Sequence, residues 1–276
     1  MKVLVTGASG QLGTAIRQVF RDHTILATDR AELDITDRES VRRFLGTEQP
    51  DVIINCAAYN NVEKAGDELF AAFAGNAYGP FFLAEAAKTV DAVLLHVSTD
   101  YVFDGMKGEY GEEDSTHPVN AYGVSKLAGE LLVRAAWEKS YIVRTSWLFG
   151  PSEGGTRNFV TTILNAAKET GEVSVVADQI GCPTYAPDLA EAIRGLLLSE
   201  PEYGVYHLAN TGSCSRFDFA KEIIVRAGIQ ANAIPITTGE SGTAVRRPSS
   251  SILKNTKQPI LRSWQDALQE YMGNMI

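Results

Sequence analysis

Five short runs rich in β-branched and other apolar residues alternate with helix-like segments over the first 150 residues. Continuous apolar runs of this length are typical of parallel strands that are covered on both faces. Where strands alternate with helices, each helix forms a right-handed crossover between two parallel strands. The pattern therefore predicts an α/β chain with a doubly wound parallel sheet. The strand-like runs are KVLVT (2–6), TILAT (24–28), DVIINCA (51–57), AVLLHVS (92–98) and YIVRTSW (141–147), and the helical patterns lie at 11–21, 38–46, about 67–89 and 121–138.

Composition excludes several classes of function. The 276 residues carry a formal net charge of -9, which argues against binding to nucleic acid or to an anionic membrane. No apolar run approaches the length of a membrane span, and MKVLVTGASG lacks the pattern of a signal peptide. The three cysteines and four histidines are scattered, which predicts free thiols in a reducing, cytoplasmic compartment and proposes no metal site.

The stretch VTGASGQLGTAI places Gly7, Gly10 and Gly13 between the first strand and the first helix. Glycine permits a tight turn and a close approach of the backbone to a pyrophosphate, which then meets the free N–H groups of the helix N-terminus. The spacing is wider than the usual G-x-G-x-x-G, and a glycine-rich turn without a ligand is the alternative. The strand–turn–helix context favours a Rossmann-type dinucleotide site.

The end of the second run bears on the choice of cofactor. Asp29 is placed to accept hydrogen bonds from the adenosine ribose, which favours NADH, whereas Arg30 could pair with the 2′-phosphate of NADPH. Together, Asp29 and Arg30 favour NADH slightly and are compatible with the use of both cofactors. Asp34 and Ile35 are placed for an adenine contact, although Asp34 could merely begin a turn before a helix capped by Asp37.

After residue 150 the alternation loosens. We predict a dinucleotide-binding domain over 1–150, which includes about 183–208, and a smaller substrate-binding lobe built from the other segments of 151–276. Helical patterns lie at 157–170, 187–199, 216–227 and 263–272, with short strands at 173–176, 205–208 and 233–236.

The fourth run ends at Ser98-Thr99-Asp100, and ligands of open α/β sheets bind beyond the carboxyl ends of strands. Tyr122 and Lys126 open the next helix and share one of its faces. Reduction of a ketone by hydride leaves an alkoxide that needs a proton. A phenol has a pKa of about 10, and an adjacent ammonium is expected to lower it. A hydroxyl that donates to the carbonyl would polarise it.

These motifs together resemble the extended short-chain dehydrogenases/reductases. The stretches RTSWLFG (144–150), NFV (158–160), VVADQIGCPT (175–184), YHLANTG (206–212) and RRPSSS (246–251) narrow the resemblance to the dTDP-4-dehydrorhamnose reductases, over nearly the whole chain. The resemblance implies an NAD(P)H-dependent enzyme of dTDP-rhamnose and cell-surface polysaccharide biosynthesis. It would reduce the C4 ketone of dTDP-4-dehydro-6-deoxy-L-mannose. Some members dimerise through a Mg²⁺ ion held by carboxylates, and no carboxylate cluster maps onto that role here.

The resemblance also implies roles for individual residues. Thr99, Tyr122 and Lys126 would be catalytic, with Lys126 also on the nicotinamide ribose. Asp100 and Trp147 would lie near the sugar, Trp147 as a stacking plane. Gln179 and Arg247 are weaker candidates for the nucleotide-sugar side, because Gln179 could simply anchor its loop. The cofactor positions would be Gly7, Gly10, Gln11, Leu12, Gly13, Asp29, Arg30, Asp34, Ile35, Ala57, Ala58, Tyr59, Asn60, Tyr122 and Lys126.

The chain departs from the family pattern at Asn60, where a threonine is usual. Gly66 and Gly75 are also unexpected, and would weaken a helix around 67–75 and disturb the order near Asn76 if they are internal.

Three alternatives to a rhamnose-forming reductase remain. A 4,6-dehydratase would carry Glu where this chain has Tyr101, which counts against dehydration. Another nucleotide-sugar 4-ketoreductase or an epimerase would share Tyr122 and Lys126, but an epimerase keeps its cofactor bound. A non-catalytic NADP-binding regulatory subunit of methionine adenosyltransferase is the remotest alternative, because the catalytic residues are intact.

Overall fold

A computed structural model describes residues 1–153, 155, 158–257 and 260–275. The strands in these residues are β1 (Lys2–Thr6), β2 (Thr24–Thr28), β3 (Val52–Asn55), β4 (Val93–Thr99), β5 (Gly108–Tyr110), β6 (Ser140–Thr145), β7 (Leu148–Phe149), β8 (Glu172–Val176), β9 (Ile180–Gly181), β10 (Thr184–Tyr185), β11 (Gly204–His207), β12 (Cys214–Ser215), β13 (Asn232–Ile236) and β14 (Ser251–Leu253). The α-helices are α1 (Gln11–Val19), α2 (Arg38–Glu48), α3 (Leu69–Phe73), α4 (Gly79–Val90), α5 (Ala121–Ala136), α6 (Phe159–Thr170), α7 (Ala186–Ser199), α8 (Arg216–Arg226) and α9 (Trp264–Gly273).

The central sheet of the described chain has six parallel strands in the order β11-β6-β4-β3-β1-β2. The prediction of a doubly wound parallel sheet is therefore confirmed. The chain passes from β1 to β2 on one side and then returns to β3 on the other side of β1. A crevice opens at such a reversal, beyond the carboxyl ends of the strands, and open α/β sheets bind their ligands there.

Alternate residues of the apolar runs supply two cores, one on each face of the sheet. Val3 and Val5 pack in the core that contains α1 and α7. Leu4, between them, packs in the core that contains parts of α2, α4 and α5. A third core lies among α6, α8 and α9, around Phe149 and Phe219. Both sheet faces are covered, which explains why the strand sequences are apolar at consecutive positions.

The five predicted runs and the helices between them are present within a few residues of their predicted bounds, except around 67–89. There the chain forms α3, a π-helical turn (Ala74–Tyr78) and α4. Gly66 precedes α3, so it does not weaken a helix interior. Gly75 lies in the π-helical turn, where a Cβ would come within 3.3 Å of the Tyr59 nitrogen. The predicted start of a helix at residue 157 lies outside the described residues.

The sequence left the local order near Asn76 in doubt, and in the structure this side chain is held by hydrogen bonds on both sides. Asn76 is fully buried, and its Oδ1 accepts the Tyr59 N–H at 2.9 Å. Its Nδ2 donates to the Tyr59 carbonyl and to Ser125 Oγ, both at 3.0 Å. The π-helical turn thus ties the loop after β3 to α5, and Gly75 lets that loop lie close.

Segments from the C-terminal half return to the sheet and to the loops at its edge. The 183–208 segment supplies α7, which packs on α1, and β11, which pairs with β6. Six short strands of the described residues were not predicted: β5, β7, β9, β10, β12 and β14. Among them, β14 pairs with β5 and so fixes the end of the RRPSSS stretch. Within the described residues, no helix has the length and apolar character required to cross a membrane.

Candidate active site

The glycine-rich turn after β1 is packed too closely for side chains. Gly7 has φ +64°, and a Cβ on it would lie 2.9 Å from the Ala57 Cα, across the reversal between β1 and β3. A Cβ on Gly13 would lie 2.3 Å from the Gly7 carbonyl oxygen. Gly10 caps α1 without a side-chain hydrogen bond, so the first N–H groups of the helix are left for a ligand.

Gln11 adds a second sign of a ligand at this turn, because its Oε1 is buried with no hydrogen-bond partner. Leu12 lies in the core and also borders the cavity described below. The turn therefore fits the pyrophosphate of a dinucleotide.

A cavity of about 440 Å³ extends from this turn along the ends of β2 and β3. Its border includes Asp29, whose Oδ1 accepts the Ser9 N–H at 3.2 Å. Arg30 is highly exposed, and its Nε donates to Asp34 at 3.1 Å. The lining is Gly7, Ser9, Gly10, Asp29, Arg30, Leu33, Asp34, Ile35, Thr36, Cys56, Ala57, Ala58, Tyr59, Asn60, Ala71, Ala74 and Gly75.

Asp34 forms the tight turn that was the alternative for it, because its Oδ1 accepts the N–H and the hydroxyl of Thr36. It also borders the cavity, and its contact with adenine stays a prediction. Asp37 caps α2 as predicted, by accepting the N–H groups of Glu39 and Ser40.

A second cavity, of about 520 Å³, continues from the glycine turn to the ends of β4 and β6. Five lining residues are common to both cavities, so together they form one groove that runs across the sheet edge. Asn60 is one of them, at the place where the family usually has threonine. The lining of this second part is Gly7, Gly10, Gln11, Leu12, Gly13, Cys56, Ala58, Asn60, Val97, Ser98, Thr99, Asp100, Tyr122, Lys126, Thr145, Ser146, Trp147 and Leu148.

The start of α5 explains why Tyr122 reaches this groove. Asn120 caps the helix by accepting the Gly123 N–H at 2.8 Å. A Cβ on Gly123 would lie 2.2 Å from the Tyr101 carbonyl oxygen, and one on Gly129 would lie 2.1 Å from the Asn76 carbonyl oxygen. The two glycines therefore allow α5 to lie directly on the end of β4 and on the π-helical turn.

Tyr122 lies in a site that favours its neutral form. Burial raises the pKa of the phenol well above its ordinary value, the Thr99 hydroxyl opposes the rise by hydrogen bonding, and the Asp100 charge adds to it. The expected lowering by Lys126 is not found in this arrangement, because the Lys126 Nζ donates to the Val97 carbonyl at 2.6 Å. The phenol therefore keeps its proton at neutral pH.

Lys126 is itself perturbed by its surroundings. Burial lowers the pKa of the ammonium to about 8, against the charge of Glu130, which raises it. Glu130 lies one helical turn further along α5 and is bonded to Arg144 and to Ser98. Glu130 was not among the predicted site residues. The signal that could have found it is Arg144, a charged residue inside the apolar run of β6, which needs a buried partner of opposite charge.

Asp100 is held by two hydroxyl groups. Thr99 Oγ1 donates to Oδ1 at 3.1 Å, and Ser251 Oγ donates to Oδ2 at 2.5 Å. Burial raises the pKa of Asp100 to about 6, and the two hydroxyls and the Arg216 charge oppose that rise. Ser251, the last residue of RRPSSS, thus orients the Asp100 carboxyl group beside Thr99. The contact could not be predicted from the sequence, because Ser251 and Asp100 are 151 positions apart.

Trp147 lines the groove with its backbone in the left-handed region, at φ +44°. Its ring is not a free plane, because the Arg216 guanidinium carbon lies 3.7 Å from the ring centroid. A Cβ on Gly181 would approach the indole Cε2 to 2.5 Å. Arg216 was not predicted, but Ser215 and Asp218 form the capping box that places it at the start of α8.

The two weaker substrate candidates lie outside the described lining of the groove. Gln179 Nε2 donates to Thr238 at 3.0 Å, which fits the alternative of a loop anchor. Arg247 pairs with Glu63, and its buried Nε has no hydrogen-bond partner. Among the described residues, no group of three His, Cys, Asp or Glu side chains is arranged to hold a metal ion.

Comparison with known proteins agrees with this geometry. The sequence model of the family described as RmlD substrate binding domain matches residues 1–276. The chain belongs to this family. A dTDP-4-dehydrorhamnose reductase of Aggregatibacter actinomycetemcomitans is 42% identical, over 97% of each chain. The Bacillus subtilis spore coat polysaccharide biosynthesis protein SpsK is 39% identical, over 98% of this chain and 96% of the relative. A crystal structure of dTDP-4-dehydrorhamnose reductase from Bacillus anthracis in complex with NADP superposes with a TM-score of 0.95, at 40% identity over 99% of both chains.

Proposed function

We propose that this protein is a dTDP-4-dehydrorhamnose reductase, which uses NADPH or NADH to reduce the C4 ketone of dTDP-4-dehydro-6-deoxy-L-mannose and forms dTDP-L-rhamnose. One observation carries the proposal: Thr99, Tyr122 and Lys126 border one end of a groove whose other end is built for a dinucleotide. The family relatives and the NADP complex of one of them support the same substrate and cofactor.

The cofactor site would be built by the glycine turn and the ends of β2 and β3. The helix N–H groups at Gly10 would hold the pyrophosphate, and Asp29 and Arg30 would meet the adenosine ribose. Lys126 would hold the nicotinamide ribose hydroxyls. When bound, the reduced nicotinamide supplies the hydride.

The protein's own residues would control the charge that develops on the C4 oxygen. The Thr99 hydroxyl, which donates to Asp100 in this structure, would turn to donate to this oxygen and polarise the ketone. Tyr122, kept neutral by burial, would then deliver the proton. Asp100 and Trp147 would contact the sugar. Tyr101 follows Asp100 where a dehydratase needs a second carboxylate, and its phenol, with a pKa raised by burial, cannot serve as that base.

A direct assay tests the proposal. The purified protein is mixed with NADPH or NADH and enzymatically generated dTDP-4-dehydro-L-rhamnose, and both cofactor oxidation and dTDP-rhamnose are measured. Failure to oxidise either cofactor, with cofactor that copurifies and stays bound, would favour an epimerase instead.

The proton donor is tested by Tyr122→Phe. The ring stays, so cofactor binding is expected to match the wild-type protein, while turnover falls by about 10² to 10⁴. An unchanged rate would show that Tyr122 does not donate the proton.

Location and assembly are also proposals. We place the enzyme in the cytoplasm, because the three cysteines are free thiols and the substrate is a nucleotide sugar. A homodimer and a bound Mg²⁺ stay predictions from the resemblance.

A further inference from the structure

Arg216 lies against two aromatic side chains, one of which, Trp147, lines the groove. Its guanidinium carbon is 3.7 Å from the Trp147 ring centroid and 5.2 Å from that of Phe159. Its charge also acts on the pKa of Tyr101, whose ring meets the Tyr122 ring edge-on at 5.7 Å. One side chain of the C-terminal half therefore contacts the indole that lines the groove.

The position of this arginine is costly for the fold. Arg216 is the first residue of α8, where the positive end of the helix dipole disfavours a cation. Burial lowers the pKa of this guanidinium, and the Arg247 charge acts in the same direction, whereas Tyr101 and the Asp100 charge oppose the fall. Among the described residues, it has no carboxylate partner within ion-pair distance. A cation kept under these conditions needs a reason other than helix stability.

Trp147 supplies that reason. Its φ of +44° is a conformation that bulky residues rarely adopt, and such strain persists only where the surroundings hold it. Gly181 leaves room on one part of the indole, and the planar guanidinium covers another part of the ring. The ring cannot turn away without losing both contacts.

We propose that Arg216 is a positioning residue, which fixes the Trp147 indole where it lines the groove. The proposal rests on the proposed function for its substrate, but the arrangement itself does not depend on turnover. Arg216 acts on the sugar through Trp147.

The first test uses Arg216→Met, with Arg226→Met at the other end of the same helix as the matched control. Trp137 and Trp264 are only 7% and 5% exposed, so acrylamide quenching of tryptophan emission reports mainly on Trp147. Quenching is expected to rise in Arg216→Met and to stay at the wild-type value in the control. Unchanged quenching in Arg216→Met would overturn the proposal, whether or not the wild-type protein reduces the sugar.

The second test uses kinetics. In Arg216→Met, kcat/KM for the nucleotide sugar is expected to fall about tenfold, as for loss of a desolvated cation–π contact, with the Kd of NADPH unchanged. In a Trp147→Phe background the same change should cost less than about threefold, because the two side chains act together. If the losses caused by Arg216→Met and Trp147→Phe are fully additive, or if NADPH binding falls in parallel, the role of Arg216 is merely structural.

Arg216→Lys keeps the argument testable if the methionine variant does not fold. Lysine restores the charge but not the planar stack, so kcat/KM should recover only in part. Full recovery with lysine would overturn the role of stacking.

Discussion

Replacement of Glu130 by Gln tests the buried ion pair beneath the catalytic helix. Glu130 and Arg144 have side chains that are 3% and 6% exposed, and their closest N–O distance is 2.7 Å. The substitution leaves the Arg144 guanidinium buried without its counter-charge. Loss of one partner of a buried pair typically costs about 3 to 5 kcal/mol of the free energy of unfolding.

The size of the effect follows from the contacts that remain. Arg144 keeps Phe103, over whose ring it lies at 5.2 Å, and a 3.4 Å contact with His207 Nε2. Neither contact carries a negative charge. A loss of about 3 to 5 kcal/mol corresponds to a fall in Tm of about 6 to 20 °C for a chain of this size.

The assay is urea unfolding followed by circular dichroism, with Tm as a second measure. Glu222→Gln is the matched control, because Glu222 pairs with Arg226 on an accessible part of α8 and should lose less than about 0.5 kcal/mol. The double variant Glu130→Met with Arg144→Met should be more stable than Glu130→Gln, because no buried charge is left alone. A loss below about 1 kcal/mol in Glu130→Gln would refute the reasoning, since the site would then be well solvated.

Two further predictions concern the pH dependence of turnover and the binding of the cofactor. Burial lowers the pKa of Lys126 to about 8, so kcat/KM should fall as the pH rises through that value and the ammonium loses its proton. Tyr122 stays protonated over the same range. A flat pH profile from 7 to about 9.5 would contradict a charged role for Lys126. Arg30→Ala should weaken the binding of NADPH more than that of NADH. Arg30 is exposed, and among the described residues its one hydrogen-bond partner is Asp34, so it can turn towards a 2′-phosphate. Equal Kd changes for both cofactors in a binding titration would exclude that contact.

The sequence predicted the parts of the fold that depend on local pattern. The apolar runs gave the central strands because each residue of a run packs on one face or the other. The glycine turn could be recognised because Gly7 and Gly13 are needed where the backbone approaches itself, at spacings fixed by the turn. Tyr122 and Lys126 could be found because helical geometry alone places them on one face.

The parts that could not be predicted join residues far apart in the chain. Ser251 bonds Asp100 across 151 positions, and no local pattern announces that contact. Arg216 reaches Trp147 because α8 packs in the third core, beside α6 and α9, with the Arg216 N–H bonded to the Gln179 carbonyl. The direction of the Lys126 ammonium was missed for a related reason: spacing shows which face a side chain shares, but not which carbonyl it chooses.

The protonation state of Tyr122 bears on the direction of the proposed reaction. A reductase begins from a ketone, so its phenol must hold its proton until the alkoxide forms. Burial raises the Tyr122 pKa, the Asp100 charge adds to the rise, and Lys126 is bonded to Val97 rather than to the phenol. The phenol therefore starts protonated, as the proposed ketone reduction requires.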